Sequence, residues 1–371
     1  MDFNFTDDQE QLRDAVRKWV DRSYTFERRQ GIARAGGFER GAYNELAELG
    51  LTGLYVPEDH GGMGMGPIEA MVVLEELGRG IVLEPLGATL VASGVIAGYA
   101  PEALKSQWLP KIASGEALVV LAYQERKARY RLDQCEATAA QSGGGWKLSG
   151  EKSIVPAGDQ ADALLVTARV NGKIALFLVE RNAQGVTSRG YPTMDEARAA
   201  EVKFQDAAAT LVSEDGLTAL QHAVDIGIAC TCAEAVGVID KTMLLTAEYM
   251  NTRKQFGVTL ATFQALRHRM ADMKMQQELA RSMSYYASLK LNAPAEERRR
   301  AMARAKYQLG VAMRFVGQNS VQLHGGIGVT DEYVGSHYFK KLTALELVYG
   351  DTLHHLGEVS ERMQDTAGVF A

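Results

Sequence analysis

A long stripe of apolar and small residues near the C-terminus constrains the fold more than any other feature of this sequence. Its members recur every three or four residues, which places them on one face of an α-helix. A helix this long can bury such a face only against other helices, so the stripe predicts a helical bundle. The stripe contains Met302, Ala305, Leu309, Met313, Val316, Ser320 and Leu323, and Gly325-Gly326 closes it.

The apolar period changes twice along the chain. Thr6 and Gln9 form a capping-box pattern before Leu12, Val16 and Trp19, and further helices are predicted over residues 44–49, 69–77 and 101–114. Alternation begins at Trp146, and residues 163–170 form a strand-like run. Asn171-Gly172 then predicts a hairpin into residues 174–179. From Leu217 onward the pattern is helical again.

These changes predict an α+β fold, mainly α, in three domains. A helical domain covers residues 1–118, a compact and mostly antiparallel β-domain covers 119–212, and a helical bundle covers 213–371. The glycine-rich segment 57–64 does not follow a strand and lacks a phosphate-loop lysine, so a nucleotide-cradling role is not expected there.

Composition excludes several classes of protein. The formal net charge of −6 over 371 residues argues against nucleic acid or an anionic membrane as the main partner. No apolar run approaches the roughly 18 residues of a membrane span, and the acidic N-terminus does not resemble a signal peptide. Cys135, Cys230 and Cys232 are too few and too poorly spaced for a disulfide framework or a zinc site. We expect a soluble, cytoplasmic protein without a metal.

Three short motifs in the C-terminal third carry chemistry. The first is Arg253-Lys254-Gln255-Phe256-Gly257 followed by Phe263-Gln264, the second runs from Gln322 through Gly325-Gly326 to Gly328, and the third is Tyr349-Gly350-Asp351-Thr352. A guanidinium such as that of Arg253 suits a pyrophosphate, and paired glycines let backbone N–H groups approach one. Taken singly, a solvated arginine and an ordinary helix end explain these residues as well.

The order of domains and the three motifs resemble the acyl-CoA dehydrogenase family over the whole chain. The resemblance implies a C-terminal four-helix bundle, an FAD cofactor, an acyl-CoA substrate and an electron-transferring flavoprotein as acceptor. In that family these segments reach across a subunit interface to the adenine and pyrophosphate end of a neighbour's FAD. Carried over residue by residue, the cofactor contacts are Arg253, Phe256, Gln264, Gln322, Gly325, Gly326 and Thr352.

The sequence departs from the family at the catalytic base. The family's reaction is α,β-dehydrogenation of an acyl-CoA thioester, in which a glutamate of Tyr-Glu-Gly-Thr removes the α-proton. Gly350 stands at that position, and Asp351, one place later, is the candidate base; the alternative is a solvated loop aspartate. A second base position known in the family matches Gly227, and Asp225 lies about 200° around the helix from it. Glu234 is expected to be buried and paired.

The flavin-ring segments of the β-domain depart as well. Family members carry Thr-Glu-Pro followed by Gly-Ser-Asp, whereas this chain has the bulky, basic stretch 123–131. Ile154-Val155-Pro156 replaces the Trp-Ile-Thr that packs on the flavin. Arg126, Lys127, Arg129 and Arg131 suit either a CoA phosphate or, as we favour, a solvated or interface-facing surface.

Motifs offered to a neighbour are therefore present, while those for the chain's own flavin ring and base are altered. This pattern resembles the small, non-catalytic subunits of heteromeric acyl-CoA dehydrogenases of fatty acid or steroid catabolism. We expect a subunit of an α2β2 heterotetramer that completes the FAD site of a homologous catalytic subunit. The alternatives are an active homotetrameric dehydrogenase with Asp351 as base, a related oxidase, and a non-enzymatic acyl-CoA-binding or scaffold protein.

Overall fold

The computed structural model describes residues 4–367, with side chains as far as residue 363; the remaining terminal residues of the predicted first and third domains lie outside this description. The chain forms two compact units. The first unit comprises residues up to Arg28, Pro67–Val82 and the chain from Ile228 onward, and the second comprises Arg29–Gly66 and Leu83–Gly227.

The first unit is helical. It contains α1 (Asp7–Ser23), α4 (Pro67–Arg79), most of α7 (Gly216–Thr252), α8 (Gln264–Lys290), α9 (Ala295–His324), α10 (Val334–Leu347) and α11 (Thr352–Ala367). Helix α9 packs against α8, α10 and α11, and α1 packs against α4. Two very short strands, β8 (Lys254–Gln255) and β9 (Val258–Thr259), form a hairpin between α7 and α8.

The second unit combines short helices with a sheet. Its helices are most of α2 (Phe26–Arg34), α3 (Arg40–Glu48), α5 (Leu86–Tyr99) and α6 (Glu102–Ala113). Its strands are β1 (Val119–Ala122), β2 (Thr138–Ser142), β3 (Gly145–Pro156), β4 (Ala163–Val170), β5 (Lys173–Glu180), β6 (Val186–Pro192) and β7 (Arg198–Ser213).

The seven strands form one sheet that closes on itself. Pairing runs from β4 through β2, β3, β7 and β5 back to β4, while β1 and β6 flank β4 and β7. Five of these pairings are antiparallel, and the two parallel ones both involve β4. Alternate strand residues such as Leu148, Val166 and Phe177 fill the interior. The predicted fold class, a mainly helical α+β protein with a mostly antiparallel β-domain and a C-terminal bundle, is confirmed. The boundaries between the three domains stay a prediction.

Local signals account for several element ends. The Thr6 hydroxyl accepts from the Gln9 amide, and the Gln9 side chain accepts from the Thr6 amide, so α1 begins with the predicted capping box. The Asn171-Gly172 turn has φ values of 49° and 83°, as a two-residue hairpin between β4 and β5 requires.

Three helices differ from the expectation, and the first of them is α2, which was not predicted. Helix α5 was not predicted, because it is apolar on every side and so lacks the one-faced period that marks a surface helix. Helix α7 is long and apolar enough to cross a membrane by length and composition, although 89% of its most apolar window is buried inside the protein. Asp225, Glu234 and Asp240 interrupt it, so no continuous apolar run is visible in the sequence.

We predict that Gly172→Ala lowers the free energy of unfolding by about 1 kcal/mol, because alanine is strained at a positive φ. No heavy atom of the described residues lies within 4 Å of the position a Cβ would take there, so backbone conformation alone is tested. Gly145→Ala is the matched control, since its Cβ also meets open space and its φ lies outside the left-handed range. Urea unfolding of both variants measures the difference; equal midpoints would contradict the prediction.

Candidate functional site

Helices α7 and α9 run parallel, which brings their C-terminal ends together. Two contacts one turn apart establish the direction. The hydroxyl oxygens of Thr246 and Ser320 lie 2.8 Å apart, and the rings of Tyr249 and His324 lie 4.5 Å apart between centroids. Because the residue numbers rise together along both helices, the first two sequence motifs start at the same end of the bundle.

The first motif leaves the end of α7 as a tight hairpin. The Arg253 amide still donates to the carbonyl of Tyr249, and the Leu260 amide donates back to the carbonyl of Arg253. Phe256 has a φ of 53° at the tip and its side chain is 92% exposed. Gln264 is the first residue of α8, so it lies at the base of this hairpin.

The second motif ends α9 at the same place. Gly325 adopts a φ of 65°, a backbone conformation that favours glycine, and it breaks the helix after His324. Gly325, Gly326 and Gln322 are exposed, and a Cβ added at either glycine would meet no heavy atom of the described chain within 4 Å. One guanidinium, two side-chain amides and open backbone at one bundle end fit the pyrophosphate and adenine end of FAD.

The third motif lies toward the other end of α9. Lys306, eighteen residues before His324 and hence about 27 Å along the helix, donates to the carbonyl oxygens of Leu345, Glu346 and Gly350 at 3.0, 2.9 and 2.9 Å. Burial lowers the pKa of this ammonium to about 8. The third motif is therefore fixed by a buried cation and does not share a surface with the first two within one chain.

Glu346 holds the start of α11. Its Oε1 accepts from the amide of Thr352 at 2.9 Å and from the Thr352 hydroxyl, and it lies 3.0 Å from Nη2 of Arg314. Thr352 is buried, and its donors are engaged inside the chain. Its predicted contact with the cofactor stays a prediction.

Asp351 has a structural role in the same turn. Its Oδ1 accepts from the amide of His354 at 2.8 Å, which is the hydrogen bond of a helix N-cap. The carboxylate is only half-buried. The geometry therefore favours a capping residue, and its assignment as a catalytic base stays a prediction.

Gly350 cannot carry a side chain in this conformation. Its φ is 112°, and an added Cβ would lie 2.5 Å from Nε2 of His355 and 2.6 Å from Cδ2 of His354. Both distances are below any ordinary contact, so the space that a side chain at 350 would enter is filled by the two imidazoles.

His355 is held as a neutral base. Nε2 lies 3.0 Å from the carbonyl of Tyr349, which can only accept, so this nitrogen carries the proton and Nδ1 has the free lone pair. Burial and the neighbouring Lys306 ammonium lower the pKa of His355 to about 3.

Other candidates from the sequence are accounted for by packing. Glu234 lies 2.6 Å from Nζ of Lys341, which matches the expectation of a paired glutamate. Asp225 is buried. In the β-domain Arg126, Lys127 and Arg131 form surface ion pairs with Glu201, Glu136 and Asp133, and Arg129 lies over the ring of Tyr130.

The residues that replace the family's Trp-Ile-Thr segment differ in their exposure to solvent. Ile154 is half exposed with a φ of 53°, an unusual value for a β-branched residue, whereas Val155 is buried. A register shift between Lys152 and Val155 lies at this point of the β3–β7 ladder. An aliphatic side chain therefore projects where the family has an aromatic one.

Sequence reasoning missed Lys306, His355 and the ring pair Tyr249–His324. One signal was available for the first of these, since Lys306 falls between Met302 and Leu309 at stripe spacing, and a lysine on a buried face needs buried acceptors. The other contacts join residues far apart in sequence.

Comparison with known proteins agrees with this architecture. Three domain descriptions of one family match consecutively: acyl-CoA dehydrogenase, N-terminal domain, over residues 6–116, middle domain over 121–207, and C-terminal domain over 214–364. Acyl-CoA dehydrogenase FadE27 of Mycobacterium tuberculosis is 26% identical over 99% of this chain and 100% of its own length.

Two solved structures of two-component proteins are similar to the whole chain. One is a variant of the Tcur3481-Tcur3483 steroid acyl-CoA dehydrogenase, with a TM-score of 0.89 and 28% identity over 97% of this chain and 99% of that one. The other is the ChsE4-ChsE5 complex of Mycobacterium tuberculosis, with a TM-score of 0.89 and 26% identity over 98% of this chain and 99% of that one.

The order of a helical region, a closed β-domain and a helical bundle agrees with the three matched domains of one flavoprotein family. The chain belongs to the FAD-dependent acyl-CoA dehydrogenase family.

We predict a pH signature of His355. A folded-state pKa of about 3 lies below the unfolded value, so stability is fully present above about pH 6.5 and falls as pH drops toward 3. His355→Asn should reduce the slope of unfolding free energy against pH by about 1.4 kcal/mol per pH unit between roughly pH 5.5 and 4. Exposed His268→Asn is the control. An unchanged slope in His355→Asn would contradict the assignment.

Proposed function

We propose that this chain is the non-catalytic subunit of a heteromeric, FAD-dependent acyl-CoA dehydrogenase. It supplies contacts to the adenine and pyrophosphate end of an FAD whose flavin ring lies in a homologous catalytic subunit. The substrate of the assembly is an acyl-CoA thioester, the electron acceptor is an electron-transferring flavoprotein, and the compartment is the cytoplasm.

The closed space at Gly350 is the observation that carries this proposal. A base must come within hydrogen-bond reach of the substrate α-carbon. The family's position for that base is a glycine at a φ of 112°, and His354 and His355 fill the direction in which a side chain would point. Lys306 fixes the Gly350 carbonyl as well, so the loop is held in this form.

The open bundle end supports the other half of the proposal. Arg253, Phe256, Gln322 and the Gly325-Gly326 turn project from the ends of two parallel helices. The exposed phenylalanine at the hairpin tip makes an edge contact with Phe263 at 6.4 Å between centroids, which leaves most of its ring in solvent. Such a tip gains stability when another molecule covers it. When bound, FAD would supply the hydride acceptor for the assembly.

The β-domain gives independent support. In the family, the flavin ring packs against the Trp-Ile-Thr segment. Ile154, at the position of that tryptophan, offers an exposed aliphatic side chain instead. The two similar structures add support, since one is the ChsE4-ChsE5 complex and the other is the Tcur3481-Tcur3483 steroid acyl-CoA dehydrogenase. Steroid or fatty acyl chemistry is accordingly the substrate class to test first.

Expression of the chain alone and together with a homologue that has Tyr-Glu-Gly-Thr and Trp-Ile-Thr segments tests the proposal. The chain alone should be colourless and inactive, and the complex should be yellow and should oxidise acyl-CoA. A yellow chain that oxidises acyl-CoA without a partner would refute the non-catalytic role. Assembly without any flavin would favour the scaffold or acyl-CoA-binding alternative.

We predict that Arg253→Gln in the complex weakens FAD binding by about ten- to a hundredfold, because one charge-assisted hydrogen bond to phosphate is lost. The flavin released on gel filtration at low protein concentration measures the change. Arg304→Gln is the matched control, since Arg304 is exposed on α9 about 30 Å from His324. Equal FAD retention in the two variants would show that Arg253 does not bind the cofactor.

Asp351→Asn separates the two enzymatic hypotheses. An asparagine keeps an N-cap oxygen, so the fold should be retained in either case. Under the proposal the base belongs to the partner, and turnover of the complex stays within about twofold of wild type. A loss of turnover with flavin still bound would instead establish Asp351 as the base of an active homotetramer or mixed assembly.

A further inference from the structure

A buried histidine lies directly beneath the exposed Gly325-Gly326 turn. His324 is the last residue of α9 and is almost fully buried, whereas the three residues that follow it are exposed. Its ring lies between two tyrosines, with centroids 4.5 Å from Tyr249 and 5.0 Å from Tyr333. A single imidazole thus links the end of α7, the end of α9 and the residue before α10.

Hydrogen bonds fix the orientation of this ring. Nδ1 lies 2.8 Å from the carbonyl oxygen of Ser320, and Nε2 lies 2.8 Å from the hydroxyl of Tyr333. A carbonyl can only accept, so Nδ1 carries the proton and Nε2 accepts from Tyr333. Burial lowers the pKa of His324 and favours this neutral form. Both ring nitrogens are therefore satisfied, and the ring has one stable orientation.

Each neighbour of His324 leads to a part of the proposed cofactor half-site. The carbonyl of Tyr249 accepts from the amide of Arg253, one turn further along the chain. Gly325 follows His324 directly, and the Gly325 amide donates to the carbonyl of Val321. Tyr333 directly precedes α10 and is the last residue of the segment that begins at Gly325. The Thr246–Ser320 contact, one turn below, keeps α7 and α9 in register.

We infer that Tyr249, His324 and Tyr333 are positioning residues that hold the Arg253 hairpin and the Gly325-Gly326 turn together as one rigid binding surface for the FAD pyrophosphate. The inference rests on the proposed function for its ligand. The structural coupling between the Arg253 hairpin and the Gly325-Gly326 turn, which lie far apart in sequence, can be tested without any ligand.

Hydrogen–deuterium exchange on the full chain tests the coupling. Tyr333→Phe removes the hydrogen bond to His324 and keeps the aromatic ring. His324→Leu removes the imidazole that lies between the two tyrosine rings. Amides of residues 253–260 and of residues 325–329 should both exchange faster, by about fivefold in Tyr333→Phe and by more in His324→Leu. Thr343→Ala, which removes a hydroxyl bond to the Phe339 carbonyl on α10, is the matched control and should leave both segments unchanged. Faster exchange confined to residues 325–329 would overturn the coupling.

Flavin retention by the complex with a homologous catalytic subunit tests the functional part. Tyr333→Phe should release FAD about fivefold more readily, with a melting temperature equal to that of Thr343→Ala. Tyr249→Phe keeps the stacked ring and should behave as wild type, whereas Tyr249→Ala should not. Wild-type retention in Tyr333→Phe and His324→Leu would overturn the inference. A wild-type complex without FAD would refute the proposed function, while the exchange data would still decide the coupling.

Discussion

The parallel alignment of α7 and α9 is the constraint on which the candidate site depends. Two long helices can run parallel only if a third returns the chain between them. The 27 residues of α8 do so, and they span about 40 Å. The C-termini of α7 and α9 and the N-terminus of α8 consequently meet at one end. Motifs separated by a whole helix pair become neighbours through topology, and the buried hydroxyl pair Thr246–Ser320 sets their relative height.

The buried ammonium of Lys306 fixes the backbone near the opposite end of α9. Transfer of an ammonium out of water is costly unless it is fully hydrogen-bonded. Lys306 meets this requirement with three carbonyls, two in the last turn of α10 and one at Gly350 after it. The conformation of residues 345–350 therefore determines whether the Lys306 ammonium is hydrogen-bonded. The positive φ of Gly350 follows from that conformation.

Features set by neighbouring residues could be predicted from the sequence. The capping box at Thr6, the turn at Asn171-Gly172 and the stop at Gly325 each depend on a few adjacent residues, and each was predicted. Helix α5 was not, because a helix that is apolar on every side has no amphipathic period. The His355–Gly350 contact and the stacking of His324 between two tyrosines depend on side chains brought together by packing, and no spacing along the chain encodes them.

The two ends of α9 differ in how much space they leave for a further side chain. A glutamate at 350 would need a negative φ, and the loop could adopt one only if His354 and His355 moved and the Gly350 carbonyl left Lys306. In the other compact unit, Ile154 stands where the family has its flavin-packing aromatic residue, and it has a positive φ of its own. Positions 154 and 350 lie in separate compact units, so no single substitution restores both of the family's residues. At the other end of α9, a Cβ added at Gly325 or Gly326 would meet no heavy atom of the described chain within 4 Å. The two ends of α9 therefore differ in packing: the turn at Gly325 is open to solvent, whereas the space beside Gly350 is filled by His354 and His355.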